Sequence, residues 1–139
     1  MTTKVQANEI SRVVLEEIAG DKIVITVPGT NYKLQLAASG NGVSVTAEPG
    51  KRIKGIIHAK ALRMHSAKAG GKFIEPVWGE PRIVSGLVLA IDESKNRLLV
   101  DVSLPMWVEV YEGQQAQQFA VGQMVNFYVQ SAMEFEQVQ

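Results

Sequence analysis

A chain of 139 residues, 46% hydrophobic and 20% charged, is long enough to bury a core, and its 14 Lys and Arg balance 14 Asp and Glu. The balance excludes disorder driven by excess charge and a uniformly basic coat for nucleic acid. With no cysteine, disulfide frameworks, thiol nucleophiles, thiolate zinc sites and iron–sulfur clusters are excluded as well.

Met1 to Glu9 is polar, and no apolar run approaches the ~20 residues of a membrane span, so a soluble, cytoplasmic protein with no membrane partner is expected. Short stretches rich in Val, Ile and Leu, punctuated by Gly, Pro, Asn and Asp, predict an all-β chain. Ile10 to Ile18 fits a strand or a short helix. Lys22 to Val27 is a strand ending at Pro28-Gly29, where proline presets φ and glycine accepts a positive one, and Tyr32 to Leu36 is its hairpin partner. Ser39 to Gly42 is a second turn, Val43 to Ala47 alternates, Pro49-Gly50 turns again, and Arg52 to Met64 is a long extended segment. Residues 66–81 form a linker that packs through Phe73, Ile74, Val77 and Trp78, and so divide a first module, 1–65, from a second, 82–139. The second module continues with strands over Arg82 to Ile91, Arg97 to Leu104, Met106 to Tyr111 and Gln123 to Phe135, with a turn at Asp92 to Asn96. Between the last two strands, Gln114, Gln115, Gln117 and Gln118 fit the outer face of one short helix, with Ala116, Phe119 and Ala120 on its buried side.

The two modules align in order. Ser11-Arg-Val-Val-Leu matches Gly86-Leu-Val-Leu-Ala, Lys22-Ile-Val-Ile-Thr-Val matches Arg97-Leu-Leu-Val-Asp-Val, and Tyr32-Lys-Leu-Gln-Leu matches Trp107-Val-Glu-Val-Tyr. Pro49-Gly-Lys-Arg-Ile likewise matches Val121-Gly-Gln-Met-Val. These matches point to two tandem small barrels related by an internal duplication, although alternating β segments align readily without common descent. Strand, turn, strand, strand, short helix, strand is the element order of an oligonucleotide/oligosaccharide-binding (OB) barrel, and residues 82–135 fit it. Within that class, Val84-Ser-Gly-Leu-Val-Leu-Ala-Ile-Asp and Val121-Gly-Gln-Met-Val-Asn-Phe-Tyr-Val-Gln-Ser resemble the opening and closing strands of transport-associated OB modules. That resemblance implies capture of a small oxyanion such as molybdate, or an accessory role beside a transporter ATPase. No oxyanion-ligating residue of that family matches a position here.

The clearest chemical signal is the run from Lys51 to Lys72, in which Lys51, Arg52, Lys54, Lys60, Arg63, Lys68 and Lys72 occur with no acid among them. Period-two alternation puts Arg52, Lys54, His58 and Lys60 on one face of the extended segment, with Ile53, Gly55, Ile57, Ala59 and Ala61 on the other. Such a stripe, flanked by Lys51 and Arg63, can follow a phosphate backbone. The alternative is a lysine-guarded edge strand. Stacking partners for bases would come from Tyr32, Trp78, Trp107 or Tyr128, which as large aromatics are expected in the core.

Catalytic and metal arrangements are missing from the pattern. His58 and His65 are seven residues apart, which sends them to opposite faces of a strand and makes a zinc pair unexpected. Ser66-Ala-Lys-Ala-Gly-Gly-Lys72 can nest an anion but is followed by Phe73 and Ile74 rather than by a P-loop helix. Val84-Ser-Gly lacks the flanks of a nucleophile elbow, and Asp92-Glu-Ser-Lys-Asn reads as a hairpin turn. No enzyme and no cofactor are therefore expected.

Charge is distributed unevenly. Residues 48–83 hold eight basic and three acidic side chains, a net +5, and residues 84–139 hold two and seven, a net −5. The leading expectation is a non-enzymatic module that binds a polyanion, single-stranded nucleic acid foremost, through Lys51, Arg52, Lys54, His58, Lys60 and Arg63. Two alternatives stand beside it. One is a self-assembling homo-oligomer in which the basic centre of one copy meets the acidic end of the next, helped by the alternating tail Glu134-Phe-Glu-Gln-Val-Gln adding to a neighbour's edge. The other is a carrier of a small oxyanion or metabolite.

Overall fold

A computed structural model describes residues 7–38, 45–67 and 70–138. The turn expected at Ser39 to Gly42, the start of the strand expected at Val43 to Ala47, and Lys68 lie outside the described residues. Among those described there are twelve strands: β1 (Ser11–Ala19), β2 (Lys22–Thr26), β3 (Lys33–Ala38), β4 (Arg52–Lys60), β5 (His65–Ala67), β6 (Phe73–Glu75), β7 (Trp78–Gly79), β8 (Ile83–Asp92), β9 (Arg97–Asp101), β10 (Pro105–Glu109), β11 (Met124–Tyr128) and β12 (Glu134–Gln137). The remaining regular structure is two three-residue 3-10 turns, Ala7–Glu9 and Ala116–Gln118. No described helix is long and apolar enough to cross a membrane.

The segment compatible with either periodicity is a strand. In β1, Ser11, Val13 and Leu15 point inward while Arg12 and Glu16 point out, and the β-branched valines favour the pleat. The Pro28-Gly29 turn forms as the sequence predicts, with Gly29 at φ +81° and the Thr30 amide donating to the Val27 carbonyl over 3.1 Å.

Five strands close into a barrel. β1 pairs β2, β2 pairs β3, β3 pairs β12, β12 pairs β4 and β4 returns to β1, all antiparallel except β3 with β12. This closed ring is consistent with an OB-like barrel. Its interior is filled by Leu15, Ile23, Ile25, Leu34, Ile57 and Phe135, all buried. Phe135 reaches the centre because Gly55 has no side chain: a Cβ there would collide with the Phe135 ring and the Glu136 carbonyl.

The second half repeats these pairings. β8 pairs β9, β9 pairs β10, and β11 returns to β8, each antiparallel. The place beside β10 is taken by the far end of β4, which runs parallel to it with Trp107 opposite His58. The chain beyond β4 then meets β11 through the Ala61–Val129 bridge, the Leu62 amide on the Tyr128 carbonyl at 2.8 Å and the Gln130 amide on the Lys60 carbonyl at 2.7 Å. A strand of nine residues spans roughly 30 Å, long enough to serve both circuits. Each half thus sends the segment after its fourth strand across to the other half, and β12 pairs with β3 and β4 although it follows β11 in sequence.

Several expected elements differ. The ladders equate Leu15 with Val88 and Leu34 with Met106, where sequence alignment suggests Ala90 and Glu109. The cause is visible in the pattern of burial: Leu34 is buried and Glu109 is exposed, so they cannot occupy one structural position. The expected short helix after β10 is only the 3-10 turn at Ala116–Gln118. It is held by the Gln118 side chain accepting from the Gln115 amide and by Asn96 Oδ1 accepting from the Ala116 amide, and Ala120 is exposed. Val45 to Ala47 is not strand, and the extended run expected from Gln123 to Phe135 breaks into β11 and β12. In the linker, Ile74 packs in the core but Val77 and Trp78 are exposed.

Candidate functional site

The basic stripe divides into three parts along β4. At its start, Arg52 and Lys54 line a cleft of about 480 Å³ together with Arg12. Arg12 comes from β1, where it stands directly opposite Lys54 in the antiparallel ladder. Cross-strand partners on one face place their Cβ atoms ~5 Å apart. Among the described residues no carboxylate lies within 4.0 Å of any of these three cations. The far wall is pinned to the strand, since the Val138 amide donates to the Lys54 carbonyl over 2.9 Å and the Thr46 amide donates to Gln137 Oε1 over 2.7 Å. Lys51 is exposed beside this cleft, just before β4.

The middle of the stripe is different. Ile56 lies on the same face and is buried with Leu99 and Trp107, against which Val138 packs. Beyond it His58 Nε2 lies 2.8 Å from Glu136 Oε1, and Glu134 stands opposite His58 on β12. These side chains line a cavity with a third acid, Glu109, and with Lys95 and Arg97. Arg97, on the cavity wall, is already engaged: its Nε donates to Asp92 Oδ2 over 2.9 Å and its guanidinium carbon sits 3.9 Å from the centre of the Trp107 ring. The acidic strand β12 therefore lies beside the middle of the basic stripe and sets its carboxylates against His58 within the same chain.

At the far end, Lys60 stands in register with Glu109, and Arg63 is exposed after the strand. Lys60 and Arg63 are eight and eleven residues from Arg52, so the six expected positions do not form one cluster. The structure brings together Arg52 and Lys54 and adds Arg12, which sequence reading passed over because residues 10–18 also fitted a helix. Strand alternation alone would have placed Arg12 on an outer face.

The other candidates resolve into structural roles. Lys72, at the end of the glycine loop, pairs with Asp101 at 2.6 Å, while Lys68 and Ala69 of that loop are outside the described residues. The Asp92 turn forms as expected: its carboxylate accepts from the Ser94 hydroxyl at 2.6 Å and from Arg97. Chiefly the Ser94 hydrogen bond, then Arg97, hold the Asp92 carboxyl below its usual range despite the opposing effect of burial. No group of three His, Asp or Glu able to hold a metal occurs among the described residues. The tail, which the self-assembly alternative would add to a neighbour's edge, forms β12 and is paired on both sides within its own chain.

Aromatic placement is split. Trp107 is buried with its indole Nε1 on Glu9 Oε1 at 2.6 Å, and Tyr32 packs against the core with its hydroxyl accepting from the Ile74 amide at 3.0 Å. Trp78 and Tyr128, expected in the core, are 72% and 60% exposed. The Trp78 Nε1 donates to the Asn31 carbonyl over 3.1 Å. Asn31 and the cleft residue Pro28 belong to one turn, so their Cα atoms are at most about 10 Å apart.

No family model and no curated protein matches this chain. The likeness to transport-associated OB modules rests on the two strand motifs alone.

Proposed function

We propose that this chain is a non-enzymatic binding module that holds a polyanion, single-stranded nucleic acid foremost, at the Arg12, Arg52 and Lys54 cleft. The observation that carries this reading is the juxtaposition of three cations with no carboxylate within 4.0 Å of them among the described residues. Like charges directly opposite each other on a ladder cost stability, and an external anion offsets that cost. The matching ladders of the two halves support descent by internal duplication of one OB-like unit.

The same three convergent cations would also suit a second ligand of that charge, a small oxyanion such as phosphate, sulfate or molybdate. A labelled oligothymidylate should bind at low salt and lose at least tenfold in affinity on Arg52→Glu with Lys54→Glu. Absence of low-salt binding overturns the nucleic-acid reading, and thermal stabilisation by an oxyanion without oligonucleotide binding establishes the second one.

A further inference from the structure

A wider cleft of about 950 Å³ opens at the opposite end of β4, framed by the chain between β6 and β8 and by the end of β11. Its apolar surface comes from Trp78 and Tyr128, joined by Leu62, which is 40% exposed. The indole of Trp78 has its N–H committed to the Asn31 carbonyl, so what it offers a ligand is its ring face. The backbone beneath is anchored, because the Lys33 amide donates to the Val77 carbonyl over 2.9 Å and β7 lies parallel to β3. Three large apolar side chains left in solvent along one cleft mark an interaction surface.

Charge selects among occupants. Glu75 and Glu80 lie on this cleft with Arg82 as the single cation in its lining. Among the described residues neither glutamate has a Lys, Arg or His within 4.0 Å. The net negative rim repels phosphodiesters, which separates this cleft from the basic one, and a neutral sugar would bring no positive charge to the two exposed carboxylates. We propose that the cleft docks a proline-rich peptide segment carrying Arg or Lys. Proline rings pack flat on exposed aromatic faces, and the polyproline II helix is preformed, so little entropy is lost on docking. Its carbonyls make no internal hydrogen bonds and accept from the Tyr128 hydroxyl, while the cationic residue meets Glu75 and Glu80.

The test is fluorescence polarisation with a labelled ten-residue peptide of eight prolines and two arginines. Two control peptides carry glutamate in place of arginine, or glycine in place of proline. The proline–arginine peptide should bind at least tenfold more tightly than either control. Trp78→Ala should weaken it about tenfold, and Trp78→Phe, which keeps a ring but also loses the Asn31 hydrogen bond, should retain most of the affinity. Glu75→Gln with Glu80→Gln should weaken binding without lowering the melting temperature. Any of four results overturns the proposal: no binding, equal binding of the glycine peptide, insensitivity to Trp78→Ala, or displacement by oligothymidylate.

Discussion

Arg12 on β1 and Lys54 on β4 are direct cross-strand partners, two cations facing the same cleft with no carboxylate within 4.0 Å of either among the described residues. Three other basic side chains have carboxylate partners within the chain: His58 has Glu136, Lys72 has Asp101 and Arg97 has Asp92. What sets the Arg12–Lys54 corner apart is that two like charges face each other across one ladder, with Arg52 lining the same cleft.

Converting that pair to opposite charges should separate stability from binding. Lys54→Glu places a carboxylate opposite Arg12 and should stabilise the fold by about 0.2–1 kcal/mol at low salt while reducing affinity for oligonucleotide. Thermal melting beside a binding titration checks this. A variant that loses stability and binding together would point to a merely structural Lys54.

Gly55 is required by Phe135. Gly55→Ala should destabilise by roughly 1–3 kcal/mol through overpacking, and Phe135→Ala by about 3–5 kcal/mol through the cavity left in the barrel. Because the two residues touch, adding Phe135→Leu to Gly55→Ala should cost less than the sum of the single changes, measured by urea denaturation.

Deleting residues 134–139 removes β12, the strand that closes the barrel between β3 and β4. The shortened chain should lose its cooperative melting transition by circular dichroism and aggregate through the two opened edges. Light scattering that instead found a folded monomer released from an oligomer would support assembly through the tail.

Much of this was legible in the sequence and some was not, for definite reasons. Alternation identified β2, β8 and β9 and put Arg52, Lys54 and His58 on one face of β4, because burial on one side of a strand imposes a period of two. The same period places Ile56 on that face, where its burial under Trp107 breaks the stripe. Strand partners are not encoded locally, so the crossing of β12 to β3 and β4, which sets Glu134 and Glu136 beside His58, could not be read from residues 134–137. The glutamines after β10 misled because two of them act at a distance or on their own turn. Gln114 bridges the Met64 amide and carbonyl, at 2.8 and 2.9 Å, and Gln118 caps a 3-10 turn.

The Asp92 turn should show a pH signature. Its carboxyl is held below its usual range in the folded chain, so it contributes stability above the unfolded pKa of ~3.9 and loses that contribution as pH falls through the folded value. Asp92→Asn should therefore lower the melting temperature at neutral pH, and the difference from the unaltered protein should shrink on acidification below about pH 4. Melting curves across that range read the effect directly.

The central claim, capture of a polyanion by Arg12, Arg52 and Lys54, is tested most directly by the salt dependence of oligothymidylate affinity. Three phosphate contacts on a single strand predict a slope of about −2 in log affinity against log salt. Changing Arg52 and Lys54 to glutamine should flatten that slope by more than half. A slope near zero, or one unchanged by the two substitutions, would contradict the account.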